Sequence, residues 1–274
     1  MAVQVFIGVW LRLHLILEKP LVIANPWQAL RRYTPARIAL GRAGPALPTR
    51  EVLEFGLAHA RARDAVHRAL DVDRLEQELK TGGYAPVRVA SQASDRTTYL
   101  TRPDLGRRLD GESARRLTGG AELVVAIEDG LSAVAVQSHA VPLLTQLLRL
   151  SAARWSGAAV VIAQHGRVAL GDEIGERLHA RLAVVMIGER PGLSSPDSLG
   201  VYLTHAPRVG RTDAGRNCVS NIHARGLSYE EAARRIDWLA AAALARGITG
   251  VALKDDSGAS SSPSAIASPD ASRG

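Results

Sequence analysis

An α/β fold, with a Rossmann-like, mostly parallel sheet preceded by a helical N-terminal region, follows from three features of the 274-residue chain. Amphipathic runs dominate from Pro26 to about Leu117, short β-branched runs alternate with helical segments after Gly119-Gly120, and those runs (VVAI, AVVIA and AVVMI) are almost uninterruptedly apolar. Parallel strands need long return connections, which helices supply. Strands covered by helices on both faces lose the polar alternation of a half-exposed sheet.

Residues 1–25 read as an extension. MAVQVFIGVWLRLHLILEKPLVIAN is apolar, but Arg12, His14, Glu18 and Lys19 interrupt it, no basic segment precedes the apolar stretch, and no small-x-small cleavage site follows. Neither a secretory signal nor a membrane span of about 20 apolar residues is expected. The stretch is expected to pack on a partner, or to stem from an upstream start codon and not be made.

Residues 26–118 form the helical region. Pro48-Thr49 opens EVLEFGLAHARARDAVHRAL, whose apolar side carries Val52, Phe55 and Ala58 to Ala62; DRLEQELK ends at Gly82-Gly83; APVRVAS allows a short strand; RPDLGRRL starts another helix after Pro103. Residues 119–256 form the Rossmann-like domain: strand ELVVAI, helix LSAVAVQSHAVPLLTQLLRL, strand AAVVIA, helix GDEIGERLHA and strand LAVVMI. A last helix starts at Ser228, whose spacing to Glu231 makes a capping box, and stops near Gly247, leaving VALK as a final strand. Residues 257–274 are a Ser/Ala/Pro/Gly tail with little to bury, expected to be disordered.

An apolar fraction of 46% and a charged fraction of 22% are those of a globular chain. The single cysteine, Cys218, excludes an intrachain disulfide and fits a reducing compartment, with the cytoplasm the simple expectation. The net charge of +7 is spread through arginines interleaved with acids, with few aromatics to stack bases. That pattern favours an acidic partner subunit over nucleic acid, and no membrane partner is expected.

In such sheets ligands sit beyond the carboxyl ends of the strands. The loops there are Glu128 to Ser132, Gln164 to Val168, Gly188 to Gly192 and the irregular stretch RVGRTDAGRNCVSN. No Gly-x-Gly-x-x-Gly, phosphate loop, cysteine pair or His-Glu-x-x-His is present, so dinucleotide, nucleotide and zinc chemistry are disfavoured. Ser132 lacks the second glycine of a nucleophile elbow and reads as a helix cap. Asp129 is balanced between ligand contact and helix cap, while Glu189-Arg190 could be a ligand clamp or a surface ion pair, and its place at the crevice tilts it toward the clamp. Taken alone, Cys218 reads as a buried apolar thiol. Asn221-Ile222-His223-Ala224-Arg225-Gly226 approaches the Asp-x-His-x-x-Gly of corrinoid proteins that swap the cofactor's base for histidine. An amide polarises imidazole less than a carboxylate does, so His223 reads as an ordinary loop histidine.

ARIALGRAG (Ala36 to Gly44), YLTRPDLGRRL (Tyr99 to Leu109), DGLSA (Asp129 to Ala133), GERPGLSSPDSLG (Gly188 to Gly200) and RNCVSNI (Arg216 to Ile222) occur in an order that resembles the ethanolamine ammonia-lyase small subunit, or light chain, over roughly Pro26 to Asp255. The resemblance implies a corrinoid-binding α/β domain that holds adenosylcobalamin against a large subunit, which binds ethanolamine. It implies Val168, Glu189 and Cys218 as cofactor-binding residues, with Asp129, Arg190 and Asn221 as weaker candidates. It implies no catalytic acid or base and no metal ligand in this chain, and a cobalt that keeps its own benzimidazole. The implied reaction yields acetaldehyde and ammonia by a radical route, in a hetero-oligomer inactive as separate subunits, and the resemblance leaves open packaging in a bacterial microcompartment. A corrinoid module of another mutase or lyase, and a basic nucleic-acid scaffold, are the alternatives.

Overall fold

The computed structural model describes residues 21–258. The extension expected over residues 1–25 and the tail over 257–274 lie outside the described residues, except for 21–25 and 257–258. Two compact units divide between Ala62 and Arg63. In the first, Asn25 caps a 3-10 helix, Pro26–Arg32, by accepting the Trp27 N–H at 2.9 Å. An antiparallel bridge joins Ile23 to Arg42, and Arg31 pairs with Glu51 at 3.4 Å. The division falls within helix α1 (Thr49–His67).

The second unit continues with α2 (Val72–Thr81), β1 (Val87–Ala90), α3 (Arg96–Thr101), α4 (Gly111–Arg116), β2 (Leu123–Glu128), α5 (Ala133–Leu150) and α6 (Ala152–Trp155). Then come β3 (Ala159–Gln164), α7 (Leu170–Arg177), β4 (Leu182–Gly188), β5 (Leu199–His205), β6 (Asn217–Ile222) and α8 (Tyr229–Arg246). They build a six-stranded sheet of order β1-β3-β2-β4-β5-β6. The strands β1, β3, β2 and β4 are parallel, whereas β5 is antiparallel to both β4 and β6. The sheet is therefore mixed, not mostly parallel as expected. No α-helix intervenes between β4 and β5 or between β5 and β6, where only a 3-10 turn, Asp213–Gly215, lies, and connections without a crossover helix return a chain antiparallel.

The helices begin and end where local chemistry dictates. Ser132 caps α5 by accepting from Ala135 N–H, and Ser228 caps α8 by accepting from Glu231 N–H, both at 3.3 Å. Gly247 closes α8 at φ 70°, a left-handed conformation that costs glycine nothing. Two expected elements differ. The helix expected after Pro103 is only a 3-10 turn, Leu105–Arg107, because Gly106 C=O is engaged by Arg167 N–H at 2.8 Å from the loop after β3. The strand expected at VALK is a 3-10 turn, Gly250–Ala252: Gly250 takes φ 77° and Thr249 Oγ donates to Gly215 C=O at 2.7 Å, so the chain cannot run on extended.

One core lies between the sheet and α5 with α8, and includes Leu143, Leu147, Trp155, Leu182, Val201 and Ile236. A second lies under α7, with Val124, Ala126, Val161, Ile174 and Val185. A fully buried side chain of this kind contributes about 1.5–3 kcal/mol. The two faces differ at β5 and β6. Leu199, Val201, Leu203 and Val219 fill the first core, while on the opposite face α7 packs on β2 and β4 and stops short of β6, where Cys218 and Ser220 are exposed.

Candidate functional site

Glu189 follows the last residue of β4 and folds its carboxylate back over Gly200 of β5, where a Cβ would lie 2.9 Å from Glu189 Oε1. Ser198 Oγ donates to Oε2, as does Asn221 N–H at 3.3 Å, while Glu189 N–H donates to Ser198 C=O at 2.9 Å. One carboxylate oxygen is thus pinned by two donors, and Oε1 is left as an acceptor with no hydrogen bond among the described residues.

Two residues along β5, on the same face as Gly200, stands Tyr202, directly opposite Cys218 of β6. Cys218 is exposed, yet partial desolvation by its neighbours, with the Glu189 charge, pushes its thiol pKa up. Burial raises the Tyr202 phenol as well, with the neighbouring Cys218 and Glu189 adding to it. Both groups are neutral at physiological pH, so beside Glu189 they present an uncharged surface. Val168, just before α7, packs half-buried on the second core, as Tyr202 does. The structure therefore brings Val168, Glu189 and Cys218 to one side of the sheet, with Tyr202 between them. Sequence reasoning missed Tyr202; the only signal was an aromatic within the short apolar run LGVYL.

Cys218 is not in an irregular loop, as expected for RVGRTDAGRNCVSN; it sits on β6, level with the middle of β4 through the pairs Cys218–Tyr202 and Tyr202–Val185. The site is an open sheet face, not the carboxyl edge alone. The start of β6 is fixed by Arg216, whose side chain is 2% exposed and donates to Asp172 at 2.6 Å, Thr204 Oγ at 3.1 Å and Arg211 C=O at 3.1 Å. Beside Val168 and Tyr202 opens a cleft of ≈ 550 Å³ whose other lining residues include Arg107, Arg167, Arg211 and Arg216.

The loops at the strand ends are tied down. Asp129 is buried, accepts from Gly166 N–H at 3.1 Å and stands 3.6 Å from the Arg96 guanidinium. It neither caps α5 nor opens to the cleft; it anchors the loop after β3. Burial raises its pKa against the pull of Arg96. Glu128 is fully buried with both carboxyl oxygens unpartnered among the described residues, and burial, with nearby Asp129 and Asp172, pushes its pKa well above its ordinary value.

Ser132 is the helix cap expected, its Oγ also donating to Pro196 C=O at 2.8 Å. Arg190 is exposed and forms no ion pair with Glu189. His223 is buried, one ring nitrogen 2.9 Å from Asn221 Oδ1 and the other accepting from Arg225 N–H at 3.3 Å. Both ring nitrogens are thus engaged at the end of β6 and in the loop after it. No group of three or more metal-ligating side chains occurs among the described residues.

Residues 24–254 match the family model described as Ethanolamine ammonia-lyase light chain (EutC). The ethanolamine ammonia-lyase small subunit of Azotobacter vinelandii is 56% identical over 240 residues, covering 85% of this chain and 89% of that protein. That of Bradyrhizobium diazoefficiens is 56% identical over 247 residues, covering 88% and 95% respectively. That of Pseudomonas fluorescens is 53% identical over 249 residues, covering 88% and 91%.

Proposed function

The chain belongs to the ethanolamine ammonia-lyase light chain family, a lyase subunit that acts as part of a complex, and from that premise we propose that it binds adenosylcobalamin against the family's large subunit. The cofactor-holding part is the segment 119–256, and the cytoplasm is its compartment. Substrate ethanolamine sits mainly in the partner, and the complex converts it to acetaldehyde and ammonia.

The observation that carries this reading is the uncovered face of β5 and β6, with Glu189, Tyr202 and Cys218 side by side and Val168 at its border. A corrin is a broad, mostly apolar disc rimmed with amides, and these residues fit it. The Cys218 thiol and Val168 offer small apolar contacts, and the free Glu189 Oε1 accepts from a rim amide N–H. When bound, the cofactor supplies the radical chemistry. This chain's share is orientation and exclusion of water, and no side chain on the face is placed as an acid or base for the substrate.

Co-expression with the large subunit, followed by an acetaldehyde assay with and without adenosylcobalamin and with each chain alone, tests the reading. Activity should require both chains and the cofactor; activity without the cofactor, or from either chain alone, overturns it. Glu189→Ala in the complex should weaken adenosylcobalamin binding roughly tenfold or more, since a hydrogen bond to a charged group is worth about 1.5–3 kcal/mol. Unchanged affinity measured by spectral titration, with turnover abolished, would count against that role.

A further inference from the structure

The cleft beside Val168 and Tyr202 holds more positive charge than the fold uses. Arg216 is committed to Asp172 and Asp213, and Asp213 is the one acid among the cleft's lining residues. The other three arginines lack a carboxylate. Arg107 is exposed, with no side-chain partner among the described residues. Arg211 donates only to the backbone carbonyls of His205 and Ala206. Arg167 lies over the Tyr99 ring at 4.3 Å, donates to Tyr99 C=O at 3.0 Å, and keeps a buried Nε with no hydrogen-bond partner.

Three guanidinium groups that pair with no carboxylate line a concave space of ≈ 550 Å³, which leaves the cleft rich in positive charge and short of an anion. Guanidinium forks match phosphate oxygens in geometry and charge. Cobalamin couples an amide-rimmed corrin ring to a nucleotide tail through a single anionic phosphodiester. The cleft and the open face share Val168 and Tyr202, so one ligand with both parts can occupy both.

We propose that the cleft lined by Arg107, Arg167 and Arg211 takes the phosphodiester of the cobalamin nucleotide tail while the corrin lies on the Glu189–Tyr202–Cys218 face. This rests on the cofactor reading above. Arg107 is the cleanest position to test because no intramolecular bond is lost with it.

The test is a spectral titration of the two-chain complex with adenosylcobalamin and with adenosylcobinamide, which keeps the ring and lacks the nucleotide tail and its phosphate. Arg107→Ala should weaken adenosylcobalamin binding about tenfold, the loss of one charge-assisted hydrogen bond, and leave adenosylcobinamide binding unchanged. Arg107→Ala with Arg211→Ala should weaken it further with the same selectivity. No loss in the double variant, or equal losses for the two corrinoids, overturns the proposal. If the unaltered complex takes up neither corrinoid, the cofactor reading fails and this proposal with it. If it takes up both and the variants instead shed the large subunit on gel filtration, the cleft faces an acidic segment of the partner and the proposal is overturned while the cofactor reading stands.

Discussion

Glu128 ends the central strand β2 with a fully buried carboxyl group that has no hydrogen-bond partner among the described residues, and burial pushes its pKa well above its ordinary value. Its pKa is raised on folding, so the stability associated with its protonated form is fully present below the ordinary carboxylate range and declines as pH rises toward the raised value. Glu128→Gln, neutral at every pH, should leave melting temperature nearly unchanged near pH 4 and raise it progressively above wild type toward pH 8. A difference in melting temperature that stays constant with pH would show that folding does not shift the group's pKa. Arg216 is the reverse case. It is a buried cation held between Asp172 and Thr204, and Arg216→Ala strands the Asp172 carboxylate. Loss of one member of a buried pair costs about 3–5 kcal/mol, which chemical denaturation will read.

Strand β5 carries a glycine where a side chain would collide with the Glu189 carboxylate. Gly200→Ala leaves the core face of β5 untouched, so it should lower adenosylcobalamin affinity roughly tenfold by displacing one hydrogen-bonding group, with little change in melting temperature. An unaltered affinity would mean that Glu189 does not need its position over β5. The same strand shows which elements can be read from sequence. Strands β2, β3 and β4 are buried on both faces and announce themselves as unbroken apolar runs. Strand β6 is buried at Val219 and Ile222 and exposed at Cys218, Ser220 and Asn221, so its mixed composition looks like a loop. Strand β5 followed a segment rich in Gly, Pro and Ser and was hidden by it. Val168 and Glu189 could be named from the resemblance, but Tyr202, which lies between them and Cys218, needed the antiparallel register to be seen.

At the scale of the whole molecule, the net charge of +7 bears on assembly more than on folding. On the reading that the arginines face an acidic partner, association with the large subunit should slow as salt is raised from about 0.05 to 0.5 M, because screening shortens the reach of the attraction, while dissociation changes little. Stopped-flow mixing of the two chains checks this; a salt-independent association rate would assign the arginines to intramolecular roles. The helical segments and the α/β half were legible because periodicity survives in a single sequence, whereas the direction of β5 and β6 depends on pairing between segments and leaves no local trace. That placement has one more effect. β6 is the end strand of the sheet, its outer side met only at its end, where Leu227 bridges Ile222 and donates to Asn221 C=O, and it flanks the face that we assign to the cofactor. A chain made in excess of its partner therefore displays the open stretch of that edge next to an uncharged, uncovered sheet face, an opening that can recruit stray strands into aggregates. Balanced synthesis of the two subunits thus becomes a matter of colloidal survival as well as of stoichiometry.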